Sequence, residues 1–321
     1  MTAPSQLCQT ATGDVSPGNP CHLSAASAAS GLGDWEYLAN FIPPADVVAA
    51  MMRRFGSVER GRAFHDIRDA IGDVNLDFYP VEIEAFPFVR DTTTLADART
   101  GPPRYTPVQF FDMVRRNINR FIDGCAFAPY NPEDAAPWQS HAPVGAVLHI
   151  DLGGTGWSPF TNPDDGSVVC AEFVRTPGDY FWLVSTLWTP ADQNHPVSGN
   201  RKFGLAKREA GAVLPRYAHT DPRLDRWHLT DNAMWSQPAQ ADTWYFYVRA
   251  ADRTTTWVDG QLASVVFSGG HAVWRSLQQH LVVYINQFGG RAAIPGWISQ
   301  RWDWARFARA HMHPSATFRT P

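Results

Sequence analysis

A series of strand patterns with no helical pattern between them occupies the middle of the chain, and this order restricts the fold more than any other feature. Each pattern is rich in β-branched or aromatic residues or is bounded by turn residues. The patterns cover residues 144–152, 167–174, 180–188, 201–206 and 243–250, with a further short one at 262–267. Because parallel neighbours need a long crossover, usually a helix, strands in direct succession predict an antiparallel meander.

The clearest helix pattern follows these strands. Its apolar residues recur every three or four positions, which places them on one side of a helix. They are Trp274, Leu277, Leu281, Ile285 and Phe288, between the pair Gly269-Gly270 and Gly289. We therefore predict an α+β fold in which an antiparallel β-meander wraps a long C-terminal amphipathic helix.

Other elements are predicted outside the meander. Residues 44–55 and 64–72 carry helical stripes and would form a helical hairpin, while Thr106 is a suitable N-cap for a helix at 107–123. Residues 74–83 mix β-branched and aromatic residues with Pro80, which favours an edge strand. Residues 294–307 predict a short packed helix.

These patterns divide the chain into parts of different character. Residues 1–33, rich in Ser, Ala, Gly, Thr and Pro, predict a flexible arm. Residues 34–140 predict a helical N-terminal part packed on the core, 141–290 the antiparallel sheet with its long helix, and 291–321 a C-terminal tail.

Charge and hydropathy argue against several classes of partner. Lys and Arg number 27 against 31 Asp and Glu, a formal net charge of −4, and the basic residues are scattered, so we expect no nucleic-acid partner. The apolar stretches are far shorter than the roughly 20 residues that span a bilayer, so we expect a soluble protein with no membrane span. The N-terminal residues lack a basic start followed by an apolar run, so we expect a cytoplasmic location, with signal-independent export left open.

Cysteines and metal ligands give no recognised pattern. The cysteines are Cys8, Cys21, Cys125 and Cys170, which form no CxxC pair, and we expect inert thiols unless export allows Cys8 and Cys21 to bridge. Oxygen ligands for calcium lie at Asn162, Asp164 and Asp165, without EF-hand spacing. The histidines considered as metal ligands are His219, His228, His311 and His313. We predict no metal and no cofactor.

Candidate acid–base residues lie on one predicted strand and after another. His149 and Asp151 are two residues apart, so both face the same side of their strand, and the carboxylate could orient the imidazole. Two polar residues on a solvent-exposed face of a strand would give the same pattern. His195 is the other candidate, and no hydrolase or phosphate-loop motif accompanies any of them.

Candidate ligand-binding residues fall into a charged group and an aromatic group. Arg201, Arg249, Asp252 and Arg253 lie near the ends of two strands and predict either a buried ionic network or an anion clamp. The aromatic candidates for the lining of a cavity are Trp182, Tyr245, Tyr247 and Trp274. Ordinary core packing is the alternative for all of these aromatic side chains.

Residues 195–204 (HPVSGNRKFG), together with a strand ending at 253 and the long helix, resemble bacterial domains of unknown function allied to the START-like, or SRPBCC, helix-grip group. In that group a His-Pro-x-x-Gly turn precedes a strand that ends in Phe. The resemblance covers residues 144–289 and implies a curved sheet around a long helix, with an apolar ligand cavity between them. The polar interruption at 207–240 and the N-terminal helices depart from the simple pattern. Without the resemblance, Pro196 and Gly199 still predict a tight turn, either structural or ligand-binding.

The sequence itself reveals no reaction. The first hypothesis is a bacterial protein that binds an apolar or aromatic small molecule between sheet and helix. The alternatives are a contact-delivered effector or toxin enzyme with a His/Asp acid–base site, and a module that binds a protein partner through its tryptophans.

Overall fold

The computed structural model describes residues 33–56, 63–89, 102–152, 165–212, 225–231, 239–255 and 260–313, with the backbone alone for 225–231 and 260–265. The predicted arm at 1–33, apart from Gly33, lies outside these residues, as do Cys8, Cys21 and His219. The described part contains one sheet with helices on both of its faces.

The sheet has ten strands, and every described pairing is antiparallel. The strands are β1 (Ile71–Ala85), β2 (Ala126–Pro129), β3 (Val147–Asp151), β4 (Gly166–Thr176), β5 (Asp179–Leu187), β6 (Val197–Arg208), β7 (Asp225–Asp231), β8 (Thr243–Thr254), β9 (Arg291–Ala293) and β10 (Trp297–Trp302). Their order is β2-β3-β4-β5-β6-β8-β1-β10-β7, and β9 also pairs with β1. A meander therefore runs from β2 to β6, after which strands from both ends of the chain complete the sheet.

The helices are α1 (Gly33–Asn40), α2 (Ala45–Phe55), α3 (Pro107–Arg116), α4 (Pro132–Gln139), α5 (Gly260–Gln287) and α6 (Trp304–His311). Capping residues fix two of the starts: Thr106 and Gln109 form a capping box before α3, and Asn131 and Asp134 form one before α4. The long α5 follows the strands, so the predicted α+β class with its C-terminal helix is confirmed. No helix among the described residues is long and apolar enough to cross a membrane.

The sheet is buried on both sides because each side carries its own apolar core. We call the side that packs against α5 and α3 the inner face; residues such as Trp182, Phe203 and Phe246 contact the helices there. The other side, the outer face, packs against α1 and α6 through residues such as Leu76 and Phe78. Alternate residues of a strand point to opposite faces, so each central strand supplies both cores.

Residues 74–83 form a strand, as predicted, but the predicted edge position is wrong: they lie within β1, which pairs with β8 on one side and with β9 and β10 on the other. Pro80 is accommodated because β10 pairs with residues up to Phe78 and β9 only from Glu82 onward. The Pro80 carbonyl oxygen in this gap accepts a hydrogen bond from Gln278 Nε2 (2.5 Å). The N–H and C=O of one strand residue point to the same side, so the missing N–H falls in the gap.

The predicted helix at 64–72 is also wrong. Only a 3₁₀ turn, Ile67–Asp69, forms there, and Ile71 already belongs to β1. The side chain of Asp66 caps this turn, and Gly72 takes a φ of 73° at an irregularity in the β1–β8 pairing. The apolar spacing is therefore shared between a turn and a strand, and the predicted helical hairpin does not form.

Two further predictions near the C-terminus need correction. The strand predicted at 262–267 is wrong, since these residues lie within α5; a short apolar run does not distinguish a strand from a buried helix. Residues 294–307 contain β10 and the start of α6 instead of a single helix.

The sheet also extends beyond the 141–290 range in both directions, since β1 and β2 precede it and β9 and β10 follow it. Strand β7 lies within the polar stretch at 207–240, which is therefore not a simple interruption of the sheet. The helix expected at 107–123 ends at Arg116 and is followed by a 3₁₀ turn, Ile118–Arg120.

Candidate functional site: a cavity between α5 and the sheet

A cavity of about 810 Å³, its open mouth included, lies between the N-terminal half of α5 and the inner face of the sheet. Most of its wall is apolar. The apolar and glycine lining comprises Phe127, Ile150, Leu152, Val168, Val184, Pro196, Val197, Gly199, Phe203, Val266, Phe267, Gly270, Val273 and Trp274, with Cys125 beside them. The polar lining comprises Asn75, Asp77, Thr186, His195, Asn200, Arg201 and Asp252. A largely apolar pocket with a few polar groups in its wall is typical of small-molecule sites.

Strand β6 supplies one wall of the cavity because its alternate residues face inward. Gly199, Arg201 and Phe203 occupy successive inward positions, and Gly199 pairs with Asp252 of β8. Gly199 has a φ of 153°, and a side chain there would collide with the Ala251 backbone. The predicted tight turn at Gly199 is therefore wrong: the glycine lies within β6 and allows a close approach of β8.

Charged residues from neighbouring strands form the polar part of the wall. Arg201 Nη2 lies 2.9 Å from Asp252 Oδ2 and 3.6 Å from Asp77 Oδ2. Asn75 Nδ2 donates a hydrogen bond to Asp252 Oδ1 (3.2 Å). The Arg201 guanidinium also lies 4.5 Å from the centre of the Trp274 ring, a cation–π contact. Strands β6, β8, β1 and helix α5 thus meet at one charged group.

Burial changes the acidity of this group. Asp252 is 4% exposed, and desolvation raises its pKa to about 6 although Arg201 opposes the shift. Desolvation also lowers the pKa of Arg301, and the charges of Asp77 and Asp252 offset part of that effect. Two buried carboxylates therefore share the Arg201 guanidinium, and the charge of Arg301 lies near enough to interact with both.

Three polar atoms in this part of the wall have no hydrogen-bond partner among the described residues. They are Asn75 Oδ1, Arg201 Nη1 and Trp274 Nε1. Because Asn75 Nδ2 donates a hydrogen bond to Asp252, the amide oxygen is the atom of this side chain that has no partner. Unmatched buried polar groups each cost about 1–3 kcal/mol, so groups of this kind call for an explanation.

His195 lines the cavity at the start of β6. Its Nδ1 lies 2.9 Å from the Val197 carbonyl oxygen and 3.1 Å from the Val197 nitrogen. Burial, assisted by the neighbouring His65, lowers the pKa of His195 to about 3, so the imidazole is neutral near pH 7. A base this weak is better suited to hydrogen bonding than to proton transfer.

The thiol of Cys125 also reaches the cavity. Desolvation raises its pKa to about 12, so it is a protonated thiol near neutral pH. Because the thiolate is the nucleophilic form, this environment disfavours a covalent role.

The structure brings two of the predicted ligand-binding residues to the cavity, Arg201 and Trp274. Trp182 is instead packed in the inner core, where its ring stacks on Phe203 with the ring centres 4.8 Å apart. The prediction that Trp182 lines the cavity is therefore wrong, and the core-packing alternative applies.

The prediction is also wrong for Tyr245, Tyr247 and Arg249, which lie on the outer face of β8. Tyr245 and Tyr247 belong to the outer core, and Arg249 stacks over the Phe78 ring (4.0 Å) and pairs with Asp34. The alternation along a strand explains the error, because odd-numbered positions between 245 and 249 face away from α5.

The arginines predicted to share one carboxylate are split between the two faces. Arg253 lies on the outer face with Arg249, and its Nη1 donates to the Ile67 carbonyl oxygen (2.8 Å). Only Arg201 reaches Asp252 from this set.

His149 and Asp151 lie on the outer side of β3, away from the cavity. The carboxylate that contacts the imidazole is that of Asp192, with both oxygens 3.0 Å from His149 Nδ1, and not that of Asp151 as predicted. Asp192 is buried and accepts a short hydrogen bond from Ser167 Oγ, while Asp165 Oδ2 lies 3.8 Å from His149 Nε2. His149 is therefore oriented by a residue from a loop distant in sequence.

Metal ligands do not assemble in the described part of the chain: no three His, Cys, Asp or Glu side chains there are placed to hold a metal ion. Asn162 and Asp164 lie outside it, and Asp165 Oδ1 accepts a hydrogen bond from the Leu152 nitrogen (3.0 Å). His311 and His313 approach opposite oxygens of the buried Glu36 at 3.5 and 3.3 Å. For His228 only the backbone is described.

Sequence reasoning missed Asn75, Asp77 and Asp192. A signal for the first two exists, because Asp73, Asn75 and Asp77 alternate with apolar residues in β1. Alternating polar residues usually face solvent, whereas both faces of β1 are covered here. No local pattern marks Asp192, which precedes the only described non-glycine residue with a positive φ, Gln193.

Comparison with known proteins found no family model that matches the chain and no curated protein with significant similarity to it.

Proposed function

We propose that this protein binds a small molecule with an apolar or aromatic body in the cavity between α5 and the sheet. The observation that carries the proposal is the cavity itself, which separates helix and sheet where a solid core would otherwise form.

The composition of the wall supports a ligand of this kind. Phe127, Phe203, Phe267 and Trp274 supply aromatic surface, and valines from several strands supply aliphatic surface. Burial of a planar apolar body here would gain about 25 cal/mol per Å² removed from water. The relationship to the START-like group belongs to this proposal, since a cavity between sheet and helix is what the resemblance implies.

The protein would be tested with N-phenyl-1-naphthylamine, a neutral aromatic dye whose fluorescence rises in apolar surroundings. Titration of the full chain should give a saturable increase in fluorescence. The substitution Gly270→Leu adds a side chain at the cavity wall on α5 and should abolish the increase. The matched control is Gly269→Leu, the same change at the neighbouring helical residue, which is not part of the lining.

The dye titration has two outcomes that would contradict the proposal. One is the absence of a saturable increase in the wild type. The other is an equal increase in Gly270→Leu and Gly269→Leu proteins that are both folded by circular dichroism, because the dye would then bind elsewhere.

The second candidate is an acid–base enzyme that uses His149. The observation in its favour is the contact with Asp192, since a buried carboxylate at Nδ1 would orient the imidazole and favour the tautomer whose Nε2, which faces Asp165 at 3.8 Å, can exchange a proton. Because a delivered effector would be toxic, growth of bacteria that express wild-type, His149→Ala or Asp192→Asn protein would test it. Equal growth with all of them, in both cytoplasm and periplasm, would remove this candidate.

The third candidate, an interaction module, receives less support. Among the described residues the exposed large hydrophobic side chains are Val144, in the turn before β3, and Val283, on α5. A docking surface built from tryptophans would require a contiguous apolar patch of several hundred Å².

A further inference from the structure

The unmatched polar atoms in the cavity wall restrict the polar end of the ligand. This inference rests on the proposed function and concerns the same cavity. Arg201 Nη1 and Trp274 Nε1 are donors, whereas Asn75 Oδ1 is an acceptor, and none has a partner among the described residues. A ligand that satisfies both kinds of atom must both accept and donate hydrogen bonds.

The positions of these atoms in the fold place them on one side of the cavity. Asn75 (β1) and Arg201 (β6) are held by the same carboxylate, that of Asp252, at 3.2 and 2.9 Å. Trp274 lies over the Arg201 guanidinium at 4.5 Å. The unmatched donors and acceptor therefore belong to residues of a single cluster, at the part of the cavity wall where β1, β6 and α5 meet.

The charges around the cluster favour a neutral group. Asp77 and Asp252 are both within 4 Å of Arg201 Nη2, so a carboxylate or phosphate would approach two buried acids. A cationic group would approach Arg201, and also Arg301, whose guanidinium lies 4.1 Å from the centre of the Phe267 ring in the same wall. Either ion would have to lose its hydration without gaining a net opposite charge.

We infer that the ligand carries a neutral polar group that both accepts and donates hydrogen bonds, as a carboxamide or lactam does, attached to a planar apolar body. The carbonyl oxygen accepts from Arg201 Nη1 or Trp274 Nε1, and the N–H donates to Asn75 Oδ1. The apolar body lies along the valine and phenylalanine part of the wall. Discrimination then arises because analogues that lack one function leave a buried polar atom unmatched.

Four compounds that share a naphthalene ring and differ in the attached group test the inference. Each is used to displace N-phenyl-1-naphthylamine from the full chain. The series is 2-naphthamide, 2-naphthoic acid, 2-(aminomethyl)naphthalene and 2-methylnaphthalene at pH 7.5. We expect the amide to displace the dye about tenfold more tightly than the hydrocarbon, which corresponds to one or two net hydrogen bonds. The acid and the amine should bind more weakly than the amide.

Two substitutions connect this preference to named atoms. Trp274→Phe removes the indole N–H and keeps an aromatic ring over Arg201, and Asn75→Leu removes the acceptor. Each should reduce the advantage of the amide over the hydrocarbon by about threefold to tenfold. Asn75→Leu also removes the hydrogen bond to Asp252 and could impair folding. In that case Trp274→Phe, which keeps this bond, still tests the preference for the amide. Tyr245→Phe, on the outer face, is the control and should leave the whole series unchanged.

The outcomes separate the two proposals. Displacement by 2-methylnaphthalene as tight as by 2-naphthamide would overturn the inference about the polar end and leave the cavity as an apolar site. Tightest binding of the acid or the amine would also overturn it. If the dye and all four compounds fail to bind, the proposed function itself fails.

Discussion

Two halves of the space under α5 differ sharply although the same helix and the same sheet face form both. In the C-terminal half, Leu277, Leu281 and Ile285 are fully buried against aromatic residues of α3 and the sheet. In the N-terminal half, from Val266 to Trp274, the helix stands over a cavity whose wall contains buried charges. We call these regions the packed half and the open half.

The difference shows where the fold is optimised for packing and where it is not. Interiors normally reach the density of organic crystals, and the packed half, with the ring contact between Phe121 and Tyr284 of α5, follows that rule. The open half combines an open cavity with buried carboxylates and unmatched donors, and these buried polar groups cost free energy. Features that reduce stability in one region of a well-packed protein are typical of functional sites.

The largest expected effect is a loss of stability when a charged side chain is removed from the open half. Arg201→Met should lower the free energy of unfolding by about 3–5 kcal/mol, because Asp77 and Asp252 would remain buried without their guanidinium partner. The double variant Arg201→Met/Asp252→Asn should recover part of this loss. Urea denaturation at pH 7.5 measures both, and equal stability of the single variant and the wild type would show that Arg201 does not compensate the carboxylates.

The packed half should respond to loss of volume. Leu281→Ala should cost about 3 kcal/mol, since a buried leucine is replaced in a region with no room to relax. Val266→Ala, at the cavity wall on the same helix, should cost less than about 1 kcal/mol because part of its surface already faces the void. Similar losses for the two substitutions in urea denaturation would remove the distinction between the halves.

The stability of the protein should also depend on pH, because His195 lies in the open half. Its pKa of about 3 in the folded state lies below the ordinary value of 6.5, so the unfolded state binds the proton first and stability falls as the pH decreases from 6.5 towards 3. The groups that face it are His65, Arg201, Val197 and Gly166. The contribution should be about 1 kcal/mol per pH unit in that window.

The matched variant for this dependence is His195→Gln, which has no titrating imidazole. The stability difference between wild type and variant should decrease as the pH is lowered from 7 to 4. Asp252, whose raised pKa stabilises the fold below about pH 6, acts in the opposite direction and is common to both proteins. A stability difference that does not change with pH would contradict a neutral, buried His195.

The smallest expected effects come from substitutions of two adjacent glycines of α5, which should differ only in dye binding. Gly269→Ala and Gly270→Ala should each raise the free energy of unfolding by about 0.5–1 kcal/mol, because glycine is a poor residue for a helix interior. Only Gly270→Ala should also weaken binding of N-phenyl-1-naphthylamine, since Gly270 lines the cavity. Equal dye affinity in both variants would place the dye outside the open half.

The packed half can be predicted from sequence more fully than the open half. The stripe from Trp274 to Phe288 predicts both α5 and the face it buries, and the succession of strand patterns predicts β3 to β6. Local periodicity carries this information because each residue of the stripe contacts the same layer. Long-range pairing is different: nothing local in residues 71–85 shows that they pair with β8 and β10 in the centre of the sheet.

Prediction of the cavity residues from the sequence has the same limit, because it also depends on long-range pairing. Arg201 and Trp274 can be selected from their types and positions, whereas Asn75 and Asp77 join them only because β1 lies beside β8. Tyr245, Tyr247 and Arg249 qualify on equal grounds, but the register of β8 turns them to the outer face. A shift of one residue reverses which face a side chain occupies, so types alone do not assign a face when both are covered.

The most direct test of the central claim uses the valine methyl groups as reporters of both halves. In the full chain labelled at valine methyls, N-phenyl-1-naphthylamine should shift the resonances of Val168, Val184, Val197, Val266 and Val273 in the open half. The resonances of Val81, Val114 and Val248, which lie in the packed inner core, should stay in place. Shifts confined to the cavity valines would support a ligand site under α5, and shifts at the packed valines alone, or none at saturating dye, would contradict it.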